Sequence, residues 1–159
     1  MSKLFLTTAL TLAFAAAAAA QQNPIEWSVK QAPKQALKAG ETFELRVAVE
    51  IPEGWHIYSI TQPEGGPIPT RISLPDGQPF EMSGVVEGPT PKVMRDESFG
   101  MDVETYEGPE AVFTVPVKVA ANAGPGRSTL VITAYFQSCN EKMCLPPKTA
   151  KLETGIDLK

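Results

Sequence analysis

The chain holds two cysteines, Cys139 and Cys144, in the stretch YFQSCNEKMCLPP. Two thiols with four residues between them can form a structural staple, clip a soft metal, or cycle between dithiol and disulfide. As a staple the pair is weak. Closing a ring of roughly six residues removes about 2 kcal/mol of unfolded-chain entropy, against nearly 5 kcal/mol for a hundred-residue loop. As a redox couple it departs from the commoner C-x-x-C spacing. Lys142 favours a thiolate at this segment, and Glu141 opposes it. From spacing alone the redox and structural roles both stay open.

The metal reading has less behind it. Zinc asks for three or four nitrogen or sulfur ligands, and His56 is the single histidine. Copper(I) accepts thiolate and thioether sulfur, and Met143 sits between the cysteines, with Met94 and Met101 further back in the chain. Each of these methionines is equally explained by packing. A catalytic triad has only His56 to serve as imidazole base, and WHIYS reads as a strand from which that ring can simply face solvent. No nucleophile elbow, phosphate loop or dinucleotide fingerprint occurs. Asp96 and Glu97 are adjacent carboxylates, which on their own read as solvated charge.

The elements that must position these residues are strands. In TFELRVAVEI, Phe43, Leu45, Val47, Val49 and Ile51 share one face, while Glu44, Arg46 and Glu50 take the other. AVFTVPVKV and RSTLVITAYF alternate in the same way. Period two means one face on a core and one face wet. Pro116 cannot donate to a ladder, which puts its strand at a sheet edge. Shorter strands are predicted at 25–30, 55–60, 70–74, 80–86 and 148–153. Residues 87–108 break the alternation and read as a long loop or a poorly paired ribbon. Proline and glycine punctuate the chain about every ten residues. Seven to nine short strands with these turns predict an all-β, immunoglobulin-like β-sandwich, with a barrel as the alternative.

Residues 1–20 read as a signal peptide. Lys3 gives a basic start, residues 4–14 are apolar, and the alanine run offers a small-residue cleavage site near Ala20. The alternative is an uncleaved membrane anchor. The rest, residues 21–159, is one domain, large enough to bury a core without staples. Losing Lys3 from 14 basic side chains leaves 13 against 18 acidic ones, a net charge of −5. A mildly acidic chain with short basic stretches does not attract nucleic acid or anionic lipid.

Several stretches together resemble the N-terminal periplasmic domain of the thiol:disulfide interchange protein DsbD. They are YFQSC followed by CLPP, then PEGWHIYSI at 52–60, DESFG at 96–100, and YEGPEAVFTVPVKV. The resemblance spans roughly residues 24–153. It implies an immunoglobulin-like sandwich with the cysteines on a hairpin at one edge. It also implies a protein-disulfide reductase or electron-transfer domain in the periplasm, working with thioredoxin-like redox proteins and a membrane electron conduit. On this resemblance Cys144 is the exposed cysteine that forms mixed disulfides, and Cys139 resolves them. Phe99 matches an aromatic that covers the disulfide and swings away on docking, in a cap loop with Asp96 and Glu97. Tyr58 lines the same site. No cofactor and no metal are implied, and a monomer is expected. The readings outside the resemblance are a non-catalytic protein-binding sandwich whose disulfide stiffens a loop, and a Cu(I)-handling protein.

Overall fold

The computed structural model describes residues 23–159. The signal-peptide segment lies outside the described residues. Eleven strands account for the regular structure: β1 (Glu26–Gln31), β2 (Thr42–Glu50), β3 (Trp55–Tyr58), β4 (Arg71–Ser73), β5 (Phe80–Met82), β6 (Lys92–Asp96), β7 (Met101–Glu107), β8 (Glu110–Val119), β9 (Gly126–Phe136), β10 (Ser138–Asn140) and β11 (Lys148–Leu158). They form three antiparallel sheets in the orders β1-β2-β8-β5, β11-β9-β4 and β10-β3-β7-β6. The last two are joined through the chain itself, because β10 follows β9 after one residue. The result is an all-β, immunoglobulin-like sandwich. Among the described residues no helix is long and apolar enough to cross a membrane.

The period-two readings map directly onto the core. Phe113, Val115, Val117 and Val119 of β8 are all sealed from solvent, as are Leu130, Ile132 and Ala134 of β9. Leu45, Val47 and Val49 of β2, beside β8 in the first sheet, belong to the same core. Trp27 of β1 stacks on Phe113 at 5.7 Å and leans on Phe136 at 5.6 Å, tying the layers together. Strand β11 runs five residues beyond the predicted 148–153, because its register with β9 continues unbroken from Lys148 opposite Phe136 to Leu158 opposite Gly126.

Two expectations are corrected. Residues 87–108 are not a loop: β6 and β7 form a hairpin within them, and β7 is paired on both sides. The alternation is hidden because a polar residue, Thr105, takes a fully buried slot between Val103 and Glu107. Its hydroxyl donates to the carbonyl of Lys92. The second correction concerns Pro116. Strand β8 is interior, between β2 and β5. On the β5 side, Ser83 donates to the Pro116 carbonyl, β5 ends at Met82, and pairing resumes only at Glu87 with Thr114. The missing proline N–H therefore falls where the neighbouring strand is interrupted, so no ladder donor is lost.

The turn from β7 into β8 leaves no room for a side chain at Gly108. A Cβ on Gly108 would stand 2.1 Å from the carbonyl oxygen of Ile51, and Ile51 donates its own N–H to the Pro109 carbonyl. Backbone cannot yield there as a flexible side chain would. Gly108→Ala is expected to destabilise the domain by about 2 kcal/mol, read as a drop of roughly 5 °C in thermal midpoint by circular dichroism. A midpoint within a degree of the parent would contradict this packing.

Candidate functional site

Successive residues of a strand face opposite sides of its sheet. On β3, Ile57 points into the main core and Tyr58 points the other way. The β10-β3-β7-β6 sheet therefore carries apolar side chains on both faces, and its outer face holds a second, smaller cluster of Tyr58, Val103 and Cys139, with Met94 and Met101 packed against it. Register sets the membership. Cys139 lies opposite His56, His56 opposite Glu107, Tyr58 opposite Thr105, Thr105 opposite Lys92, and Val103 opposite Met94. All of these residues share one face.

The cysteines form a disulfide, with their Cα atoms 4.0 Å apart. Hydrogen bonds flank the pair on both sides, from Leu145 N–H to the Ser138 carbonyl and from Asn140 N–H to the Met143 carbonyl. Cys139 and Cys144 are thus a non-hydrogen-bonded pair, the closest approach an antiparallel ladder offers. Asn140 closes the turn with its side chain, whose Oδ1 accepts from the N–H groups of Lys142 and Met143 at 2.9 Å. The two sulfurs have unequal surroundings. Cys139 is 1% exposed, while Cys144 stands in solvent.

Around the disulfide opens a cleft of about 1240 Å³. One wall is the start of β1 with the β2–β3 and β7–β8 turns. The second wall is β6 with the turn that follows it, and the third is the cysteine hairpin. Tyr58 and His56 line it beside the sulfurs. The Tyr58 hydroxyl is 4.0 Å from Cys144 Sγ. A disulfide sulfur carries no proton, so the phenol is the donor. Burial raises the Tyr58 pKa above its ordinary value, and the negative charge of Asp96 adds to this, so the phenol stays a donor at neutral pH. The His56 ring meets Tyr58 edge-on at 5.4 Å. Lys92 Nζ donates to both oxygens of Glu107 at 2.9 Å.

Of the residues singled out in the sequence, Cys139, Cys144, Tyr58, Asp96 and Glu97 all line this cleft. Phe99 is not among the lining residues and is 45% exposed, on the turn between β6 and β7. Asp96 Oδ1 accepts from the N–H groups of Ser98 and Phe99, which fixes the shape of that turn. Met94 and Met101 have the packing role. The WHIYS strand leaves the His56 ring free to face solvent by pattern alone; it lines the cleft opposite Cys139. The available signal was its position two residues before Tyr58, which puts both side chains on one face.

A short-range disulfide set in an open cleft of a β-sandwich, one sulfur accessible and one sealed, together with the family match, supports a thiol–disulfide exchange domain. The chain belongs to the family described as thiol:disulfide interchange protein DsbD, N-terminal, whose model matches residues 17–155. Among solved structures, it is similar to the N-terminal periplasmic domain of ScsB from Proteus mirabilis, with 17% identity and a TM-score of 0.44, over 76% of this chain and 43% of that one. This chain thus spans less than half of that structure's length. It is also similar to the CssB subunit, complemented with a donor strand from CssA, of the colonization factor CS6 of enterotoxigenic Escherichia coli, with 11% identity and a TM-score of 0.42, over 85% of this chain and 97% of that one. No curated protein matches the chain.

The His56 environment gives a pH dependence. Burial lowers its pKa below 6.5; Glu107 and Asp96 pull it back up, and Lys92 pushes it further down. The folded state therefore withholds a proton that the unfolded chain accepts. Stability is fully present above pH 6.5 and falls as pH drops from there towards the lowered native value. Urea midpoints across pH 7.5 to 5 are expected to decline in the parent and to decline less in His56→Gln. Parallel profiles would show that the imidazole is not held neutral by its surroundings.

Proposed function

We propose that the domain passes reducing equivalents between a thioredoxin-like donor and oxidised proteins through Cys139 and Cys144. The observation that carries this reading is the asymmetry of the two sulfurs: Cys144 is exposed in the cleft and Cys139 is 1% exposed behind it. Exchange runs by attack of a thiolate on one disulfide sulfur, along the line of the bond that breaks. A donor thiolate reaches Cys144 Sγ, forms a new S–S bond there, and expels Cys139 as a thiolate that takes up a proton. The donor's second thiolate then attacks its own sulfur in the mixed disulfide. This releases Cys144 as a thiolate and leaves the donor oxidised by two electrons and the domain reduced. Towards an oxidised client the order reverses. Cys144 thiolate attacks the client disulfide, and Cys139 then resolves the mixed disulfide, so the client is reduced and the Cys139–Cys144 bond re-forms. The Tyr58 hydroxyl is positioned to donate to the Cys144 sulfur as charge develops on it.

In this reading residues 1–20 are a cleaved signal peptide, the domain works as a monomer in the periplasm, and a membrane electron conduit supplies the donor. The turn with Asp96, Glu97 and Phe99 is its movable part. The Phe99 ring, exposed on this turn and outside the cleft lining, is the group that would cover Cys144 between partner encounters and exclude unrelated thiols.

With a thioredoxin-like protein whose second active-site cysteine is replaced by serine and whose remaining cysteine is first converted to its mixed disulfide with thionitrobenzoate, the Cys144 thiolate of Cys139→Ser is expected to displace the thionitrobenzoate anion and accumulate a mixed disulfide between the two proteins. Cys144→Ser should accumulate none, as read on non-reducing gels. Equal trapping by the two variants, or a folded parent whose disulfide no thioredoxin-like protein reduces, would leave a loop-stiffening bond in a binding module as the better account. Phe99→Ala is expected to speed reduction of the parent disulfide by β-mercaptoethanol, followed by thiol quantification. An unchanged rate would make Phe99 an ordinary turn anchor.

A further inference from the structure

The charges around the cleft do not balance. Glu26 and Glu50 are directly opposite each other on β1 and β2, and Glu50 is opposite Glu110 on β8. Like charges facing each other across strands cost stability. The cations nearby are already paired, Lys30 with Glu110, Lys92 with Glu107, and Arg95 with Asp102, and of these Lys92 and Arg95 line the cleft themselves. Among the described residues no cation pairs with Glu26, Glu50 or Glu53, all three of which are exposed and line the cleft wall beside the disulfide. Asp96, Glu97 and Glu141 add three more carboxylates on the other walls, where Lys142 is the lining cation outside those ion pairs.

We propose that the cleft is an anionic docking surface for a protein thiol partner that is basic around its own reactive cysteine. This rests on the exchange reading above and specifies the partner that reading leaves open. A cleft whose unpaired charges are mostly of one sign focuses the field on its occupant, and such steering raises encounter rates by about 10-fold to 1000-fold at low salt. A basic partner surface would also relieve the opposition of Glu26, Glu50 and Glu53. A second copy of this chain would bring the same negative cleft and be repelled, so self-association through this face is disfavoured.

The test uses peptide thiols of one length, Lys-Lys-Cys-Lys-Lys and Glu-Glu-Cys-Glu-Glu, reducing the disulfide of the intact domain. Oxidised β-mercaptoethanol serves as the reference disulfide, to remove differences in intrinsic thiol reactivity. The corrected rate ratio of cationic to anionic peptide is expected to exceed about 10 at ~10 mM ionic strength. It should approach 1 near ~1 M, where the screening length is about 3 Å. Glu26→Gln/Glu50→Gln/Glu53→Gln should shrink the ratio, and Glu26→Lys/Glu50→Lys/Glu53→Lys should invert it. The neutral set keeps the test decisive if the reversed set folds poorly. A ratio near 1 at low salt, or one that the neutral set leaves unchanged, overturns the docking proposal alone and points to a partner selected by apolar contact. Failure of every peptide to reduce the disulfide overturns the exchange reading and this proposal together.

Discussion

The pairing of β10 with β3 is the constraint on which the site depends. It is short, with Ser138, Cys139 and Asn140 opposite Ile57, His56 and Trp55. Yet Ile57 is sealed in the main core and Ser138 is sealed beside it. One end of the cysteine hairpin is thereby fixed to the sandwich, while the other, Cys144, hangs on a four-residue turn held by the Asn140 side chain. Anchoring only one strand of the hairpin makes the two sulfurs unequal. A disulfide between two core strands would hide both sulfurs, and one in a free loop would expose both.

The same pairing explains why the sheet needs an apolar cluster on its outer face. Cys139 would be a poor resting place for a sulfur if its side were open to water. Tyr58, Val103, Met94 and Met101 close that side. Methionine suits such a place, because an unbranched thioether fills irregular gaps. The cluster includes residues from β3, β6 and β7. The hairpin of β6 and β7, which breaks no core strand when viewed from the main sandwich, is therefore part of the site's foundation.

Legibility in the sequence follows from whether a signal is local. The alternation in β2, β8 and β9 is local, since every second residue meets the core, and the sandwich could be read from it. The β6–β7 hairpin is hidden because the polar Thr105 occupies a fully buried position and Met94 and Val103 are spaced like isolated apolar residues. Pro116 misled for a related reason: its lost N–H matters only if a neighbouring strand presents an acceptor there, and that depends on where β5 stops. At the site, the cysteines were visible by type, and Tyr58 came with the resemblance. His56 was visible only through register, because its approach to Cys139 joins residues 83 positions apart in the chain. The positions of Asp96 and Glu97 on the cleft wall, with Phe99 outside it, depend on the turn that Asp96 itself caps.

Charge placement adds a layer that neither composition nor periodicity reveals. A modest net charge says only that the domain is acidic. The sheet register is what collects Glu26, Glu50 and Glu110 into one row, and the salt bridges from Lys30, Lys92 and Arg95 are what leave the cleft side of that row uncompensated. Surface ion pairs of this kind contribute little to stability, about 0–1 kcal/mol each, so the fold does not require this arrangement. Its consequence lies in encounter, because a field at the mouth of a cleft selects among approaching molecules before any contact is made. Exposing a single sulfur limits where a partner can attack. The carboxylates around it bias which partners arrive, and the two controls act on separate steps of the same exchange.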